Sequence, residues 1–154
     1  MSEEPGINPN RLLQALSEFV EHMDKEVHDA LDGALERAVG VAKGGQFFDR
    51  TGDLRDQIRY TLQGLASEDT LLGTLGAYTL YASYVEDGTE PHEIRAKNRK
   101  ALKIPAKGGG FYFAKSVQHP GSKPVRFMLA AVESIDMSTI LDHALDRAAQ
   151  KAGL

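Results

Sequence analysis

The chain has 154 residues, 42% of them hydrophobic and 26% charged, with no cysteine and no tryptophan. That length suits one domain with a core of its own, and the apolar fraction is too high for a disordered chain. The missing cysteines remove disulfide scaffolds, thiolate zinc sites, cysteine nucleophiles and iron–sulfur clusters together. No apolar run approaches the ~20 residues of a bilayer span. The first ten residues, MSEEPGINPN, are acidic and unlike a signal peptide, so a protein made and kept in the cytosol is expected.

The net charge of −4 hides an uneven distribution. Residues 1–94 carry 7 basic and 18 acidic side chains, and residues 127–154 carry 2 and 4. Between them, residues 95–126 carry 9 basic side chains and no acidic one: Arg95, Lys97, Arg99, Lys100, Lys103, Lys107, Lys115, Lys123 and Arg126. An acidic body with one basic segment keeps a polyanionic partner open, which the total alone would have argued against.

In chain order, Asn8 can cap a helix that has Pro9 at its first position, where the missing N–H costs nothing. Apolar residues then recur at helical spacing through Leu13, Leu16, Val20, Met23, Val27, Ala30, Ala34 and Ala38. The pattern predicts a helix over residues 9–43, roughly 50 Å long at 1.5 Å per residue. Gly44 and Gly45 stop it. Such a helix either outruns its own domain and packs on another subunit, or bends near Gly33 and folds back.

Thr51 or Asp53 is expected to cap a short turn holding Leu54 and Ile58. Alternation at Ile58, Tyr60 and Leu62 predicts a strand, a turn follows over residues 64–69, and residues 70–81 read as its partner. Gly73 and Gly76 mark a bulge or a close backbone approach. Tyr81, Tyr84 and Val85 fit one helical turn closed by Gly88. Residues 90–100 read as a polar, mobile loop, and residues 101–106 as a short strand. Gly108–Gly110 form a turn, and residues 111–117 return with Phe111 and Phe113 toward the core. Residues 127–152 are helical, with a break near Ser134, Ile135 and Asp136. The expected fold is α+β: a long N-terminal helix, a four-stranded mainly antiparallel sheet in two hairpins, and a C-terminal helix packed on the sheet. One domain spans residues 1–154, with a flexible terminus at 1–8 and a sheet with a basic loop region over 47–126.

No residue set makes a strong chemical motif. His119-Pro120-Gly121 suits a catalytic histidine only if the fold supplies a carboxylate and a nucleophile, and suits a tight turn with no further condition. His92 lies between Glu90 and Glu93, too few ligands in one loop to define a closed metal site. His22 and His28 fall on different helix faces, and no HExxH or EF-hand loop occurs. Gly108–Gly110 precede a strand rather than a helix, which fits a hairpin turn and not a phosphate loop. The basic segment with Phe111, Tyr112 and Phe113 has the composition of a nucleic-acid surface, or of a basic face docking on an acidic protein. No catalytic residue, cofactor or metal is assigned, and a non-enzyme is expected.

Three stretches carry a further signal: Thr51-Gly52-Asp53-Leu54-Arg55-Asp56-Gln57-Ile58, then Tyr81-Ala82-Ser83-Tyr84-Val85-Glu86-Asp87-Gly88-Thr89, then Val117-Gln118-His119-Pro120-Gly121 with Lys123-Pro124 and Phe127. In this order they resemble the head–tail joining, or tail-completion, morphogenesis proteins of long-tailed phages and prophages. In that family a long helix precedes TG-x-L-R, YA-x-x-V-E-x-GT follows a hairpin, and HPG…P-F leads into the last helix. The resemblance covers about residues 10–150. It implies a structural protein at the neck of the virion, synthesised in the bacterial host cytoplasm. It also implies a homo-oligomeric ring, often sixfold, around the DNA channel between the connector and tail-tube proteins. DNA would pass nearby without specific binding, and no membrane is involved. The motif residues then read as fold determinants, with Tyr81, Tyr84 and Val85 anchoring a short helix on the sheet. Arg95, Lys97, Arg99, Lys100, Lys103 and Lys107 become the candidate interface, where the basic segment of one subunit meets the acidic helix of the next. A nucleic-acid-binding accessory protein acting through residues 95–126 is the alternative.

Overall fold

The computed structural model describes residues 8–65 and 70–154. The expected flexible terminus, apart from Asn8, and most of the turn expected over residues 64–69 lie outside the described residues. Helix α1 runs Pro9–Lys43, with the Asn8 side chain accepting from the Asn10 N–H at 3.0 Å. It passes through Gly33 without a break. Its C-terminal half is studded with small residues: Ala34, Ala38 and Ala42 are buried.

The last helix, α5 (Met137–Ala152), presents Ile140, Ala144, Ala148 and Ala152 at four-residue spacing, all buried. Two alanine-rich faces allow close helix approach, so α5 packs on α1, whereas the sequence pattern predicts packing on the sheet. The pairing is antiparallel: near the end of α5, Lys151 and Arg147 (2.7 Å) both hold Glu26. Glu26 is the buried charged residue among the described ones. Lys151, donating to it, and Arg147 beside it keep its carboxyl below the usual carboxylate range, against the upward push of burial.

A short helix α2 (Asp53–Asp56) leads into β1 (Ile58–Leu65), which pairs antiparallel with β2 (Thr70–Ala77). Their register runs from Ile58↔Ala77 to Leu65↔Thr70 without a bulge. Gly73 and Gly76 serve close approach instead. A Cβ on Gly73 would stand 2.9 Å from Leu35 Cδ1, and one on Gly76 would stand 2.9 Å from the Tyr78 ring. Ile58 and Leu54 are fully buried with Ala38, Ala42, Phe47, Ala82, Phe127 and Ala131, which together form the core.

Helix α3 (Ala82–Glu86) precedes a segment where the structure departs from expectation. Residues 90–100 contain a strand, β3 (His92–Arg95), paired antiparallel with β6 (Ser116–His119). Beyond it β4 (Leu102–Pro105) pairs with β5 (Phe111–Ala114) around the glycine turn, where Gly109 and Gly110 take positive φ. The return expected as one strand over 111–117 is split at Lys115. There, six residues (96–101) stand against one on the other side, tied by the Ala96 N–H to the Lys115 carbonyl at 3.1 Å. The result is a two-stranded arm rather than half of a four-stranded sheet. Alternation holds in β4, where Leu102 and Ile104 are half-buried, but fails in β5, because the opposite face of a two-stranded ribbon has no second layer to cover it. For the same reason Phe111 and Phe113 do not face the core: they are 59% and 69% exposed.

Helix α4 (Phe127–Glu133) then runs to the expected break at Ser134. Asp136 caps α5, accepting from the N–H groups of Ser138 (3.0 Å) and Thr139 (3.4 Å). The hydroxyls of Ser138 and Thr139, which also donate to it, pull its carboxyl down to about 2.

Candidate assembly surfaces

The three motifs recognised in the sequence converge on one junction. In the first, the cap expected from Thr51 or Asp53 is supplied by Asp49. Its carboxylate accepts from the Gly52 N–H at 3.1 Å and the Arg55 N–H at 3.0 Å. Thr51 donates to the Asp53 carboxylate at 2.7 Å and accepts from the Asp53 N–H at 3.4 Å, so it supplies a smaller part of the cap. Gly52 turns the chain with φ +84, and Leu54 fills the core. Arg55 reaches back to the end of α1, where helical carbonyls lack partners. Its Nε donates to the Lys43 carbonyl at 2.9 Å, and Nη2 to the carbonyls of Gly45 (3.1 Å) and Phe47 (3.3 Å). The guanidinium also lies 4.2 Å from the centre of the Phe47 ring.

In the second motif, Ala82 is buried and Val85 half-buried, so these two hold α3. Tyr81 and Tyr84, expected as anchors, are 38% and 62% exposed. Glu86 has a role that spacing could not show. Its Oε2 accepts from the Met128 N–H at 2.8 Å and its Oε1 from the Leu129 N–H at 3.0 Å, across 42 residues of chain. Helix α4 has no cap from its own N-cap residue, Arg126, which sits at φ 59. Glu86 therefore satisfies its orphan donors, with the charge sign the helix N-terminus favours. Replacing Glu86 by alanine is expected to lower unfolding free energy by about 1–2 kcal/mol. Urea denaturation measures this, and the glutamine variant should recover part of the loss.

The third motif closes the arm. Thr89 and Ser122 exchange N–H to carbonyl bonds, both 3.0 Å. Gly88 and Gly121, at φ +74 and +83, lie against each other's partner strand: a Cβ on either would collide with the Ser122 or Thr89 carbonyl oxygen. His119 accepts from the Gly121 N–H at 3.1 Å through Nδ1, and its ring lies 5.1 Å from that of His92, its cross-strand partner. Both imidazoles are thus placed as turn and ladder residues, and no cluster that could hold a metal occurs among the described residues. Pro120 and Pro124 flank the turn. Phe127 is buried, with its ring 4.9 Å from that of Phe47, and it shares the core with Leu54 and Ile58, so the first and third motifs meet there. Beside this junction opens a groove of about 320 Å³ between Phe48, Tyr81, Tyr84 and Lys123.

Away from the junction, two surfaces combine exposed apolar side chains with a strong local charge. One is the arm. Arg95 pairs with Glu93 at 2.7 Å, whereas Lys97, Arg99, Lys100, Lys103 and Lys107 have no carboxylate in ion-pair range among the described residues. Lys103 instead lies 3.9 Å from the centre of the Phe111 ring. The other is the N-terminal end of α1, which runs about 25 Å past the Glu26 grip of α5 at 1.5 Å per residue. It shows Leu12 at 42%, Leu13 at 66%, Leu16 at 46% and Val20 at 59% exposure. Among the described residues no helix is long and apolar enough to cross a membrane.

The sequence model of one family, described as "Bacteriophage HK97-gp10, putative tail-component", matches residues 10–88. The match takes in α1, the first motif, the β1–β2 hairpin and the second motif to Gly88; the arm and the third motif lie beyond it. No curated protein and no solved structure matches the chain. The long helix, the hairpin and the motif order agree with that match, which spans half of the chain, and the chain belongs to the HK97-gp10-like family of bacteriophage tail components.

Proposed function

We propose that the protein acts at the head–tail junction, in a tail-completion, neck or terminator role, as a homo-oligomeric ring around the DNA channel. Its neighbours there are the connector and tail-tube proteins of the virion, and its task is structural rather than catalytic. Family membership supports the setting. The observation that carries the ring is the separation of charge: an arm rich in lysine and arginine and free of acids from residue 95 onward, on an otherwise acidic chain. In a heterologous contact the arm of one subunit meets the acidic helix of the next, and repetition of that contact closes a ring. Such complementarity sets register and partner choice.

Light scattering across a salt series tests the reading. Screening shortens from about 10 Å at 0.1 M to about 3 Å at 1 M. A multimer at low salt that dissociates at high salt is expected. A protein that stays monomeric at high concentration in low salt, and also with its phage neighbours present, would count against the ring. The alternative of a nucleic-acid accessory protein draws on the exposed Phe111 and Phe113 beside Lys103. Filter binding at low salt decides it: replacing Lys97, Arg99, Lys100 and Lys103 by glutamate must abolish DNA retention.

A further inference from the structure

The arm is more than a carrier of charge. Pairing of Lys103 with Phe113 and of Pro105 with Phe111 puts these four side chains on one face of the ribbon. Leu102, Ile104 and Ala114 lie half-buried on the other face, together with Tyr112, which is 49% exposed. The first face therefore presents two phenylalanines beside cations, with Lys103 against Phe111 and Lys107 in the turn that follows β4. Aromatic anchors inside a charged rim are what an interface core is made from.

The exposed end of α1 has the matching chemistry. At 3.6 residues per turn, Leu13, Leu16 and Val20 form one stripe, Asp24 continues it and Glu21 flanks it. The one base before Lys25, Arg11, falls on the opposite side. Apolar centre and acidic margin on the helix thus complement apolar centre and basic margin on the arm. The root of the arm and the stripe lie toward opposite ends of α1. The arm is rooted at Thr89 and Ser122, whose flanks Val125 and Arg126 bond α3 carbonyls, next to the core that holds Ala38 and Ala42. Leu16 is roughly 40 Å from Ala42 along α1 at 1.5 Å per residue. A contact between two different patches joins copies head to tail and leaves one free patch at each end of the chain of copies.

We propose that the outer face of the arm tip, with Phe111 and Phe113 flanked by Lys103 and Lys107, docks on the Leu13, Leu16 and Val20 stripe of α1 in a second copy of the chain. This rests on the oligomeric reading above and names its interface. A nucleic acid does not account for both patches, because a leucine stripe edged by Glu21 and Asp24 has nothing to offer a phosphate backbone. The outer stripe of α4 and α5, with Met137 at 48%, Leu141 at 40% and Leu145 at 42% exposure, is the competing seat.

Because the chain has no cysteine, single-cysteine variants report the contact directly. Val20→Cys mixed with Phe113→Cys under mild oxidation should give a disulfide-linked dimer at about tenfold the yield of either variant alone, or of Val20→Cys with Phe48→Cys. Equal yields overturn the docking, and so does preferential linkage of Phe113→Cys to Leu145→Cys. In scattering, F111S/F113S and L13Q/L16Q, checked for native circular dichroism, should each weaken self-association about tenfold or more. An equal mixture of the two should stop at dimers, since only one intact contact remains per pair. Rings undiminished in either variant overturn the docking and leave the ring reading standing. Specific linkage at Val20 and Phe113 in a protein that closes no ring supports the docking and counts against the ring. If F111S/F113S loses binding to a double-stranded DNA oligomer but keeps its assembly state, the tip is a nucleic-acid surface and the proposal falls.

Discussion

Gly121→Ala should be among the most damaging single substitutions in the chain. At φ +83 an alanine costs about 1–2 kcal/mol for the left-handed backbone alone. Its Cβ would also strike the Thr89 carbonyl oxygen and stand 2.9 Å from the Glu90 carbonyl carbon. These are backbone atoms held by the reciprocal Thr89–Ser122 bonds, so no side chain can swing away to make room. Overpacking of this kind adds about 1–3 kcal/mol, which makes the expected loss about 2–5 kcal/mol. Against a typical total of about 5–15 kcal/mol that is a large share. Gly88→Ala should behave alike, since its Cβ would meet the Ser122 carbonyl and Pro124. Gly52 is the control: it has φ +84, but a Cβ there would find its nearest contact 3.9 Å away, on Asp56. Urea midpoints for the three alanine variants should therefore separate into one mild and two severe. Equal midpoints would show that the backbone crossing at the arm's root opens without cost.

Arg55→Ala is expected to lose about 2–3 kcal/mol, the worth of charge-assisted hydrogen bonds discounted for a side chain that is 36% exposed. The guanidinium bonds three carbonyls at once, those of Lys43, Gly45 and Phe47. Without it, the end of α1 and the bend after it keep unpaired acceptors beside the core. Arg55→Lys should recover less than half, because an ammonium cannot span three acceptors with a planar fork. In thermal unfolding the alanine variant should melt about 5–10 °C lower, at about 2–4 °C per kcal/mol for a chain of this size class. Arg50→Ala, an exposed neighbour, should leave the melting temperature unchanged. An Arg55→Ala variant as stable as Arg50→Ala would show that the carbonyls find water instead.

These two sites mark the boundary of what could be read before the fold was seen. The motif letters around Arg55 and Gly121 were visible, and so was the resemblance they carry. The reason for each residue was not. Arg55 acts on carbonyls 8 to 12 positions upstream, and Glu86 acts on N–H groups 42 and 43 positions downstream. No periodicity spans such distances. The cap expected from Thr51 or Asp53 falls mainly to Asp49, with Thr51 accepting only from the Asp53 N–H, for a similar reason: a local pattern shows which residues can cap, and the turn geometry decides which carboxylate reaches.

The sequence by itself determined the long helix, because Asn8, Pro9, the apolar stripe and Gly44 act within neighbouring turns. It likewise determined the β1–β2 hairpin, the break before α5, the family resemblance and the split of charge. Only the tertiary structure decided where α5 packs, that residues 92–95 form a strand, and that Phe111 and Phe113 face outward. Hydrophobic periodicity records which face a residue would bury if something covered it. On the Phe111 and Phe113 face of the arm and on the first turns of α1, little among the described residues does, and the apolar side chains there stay exposed.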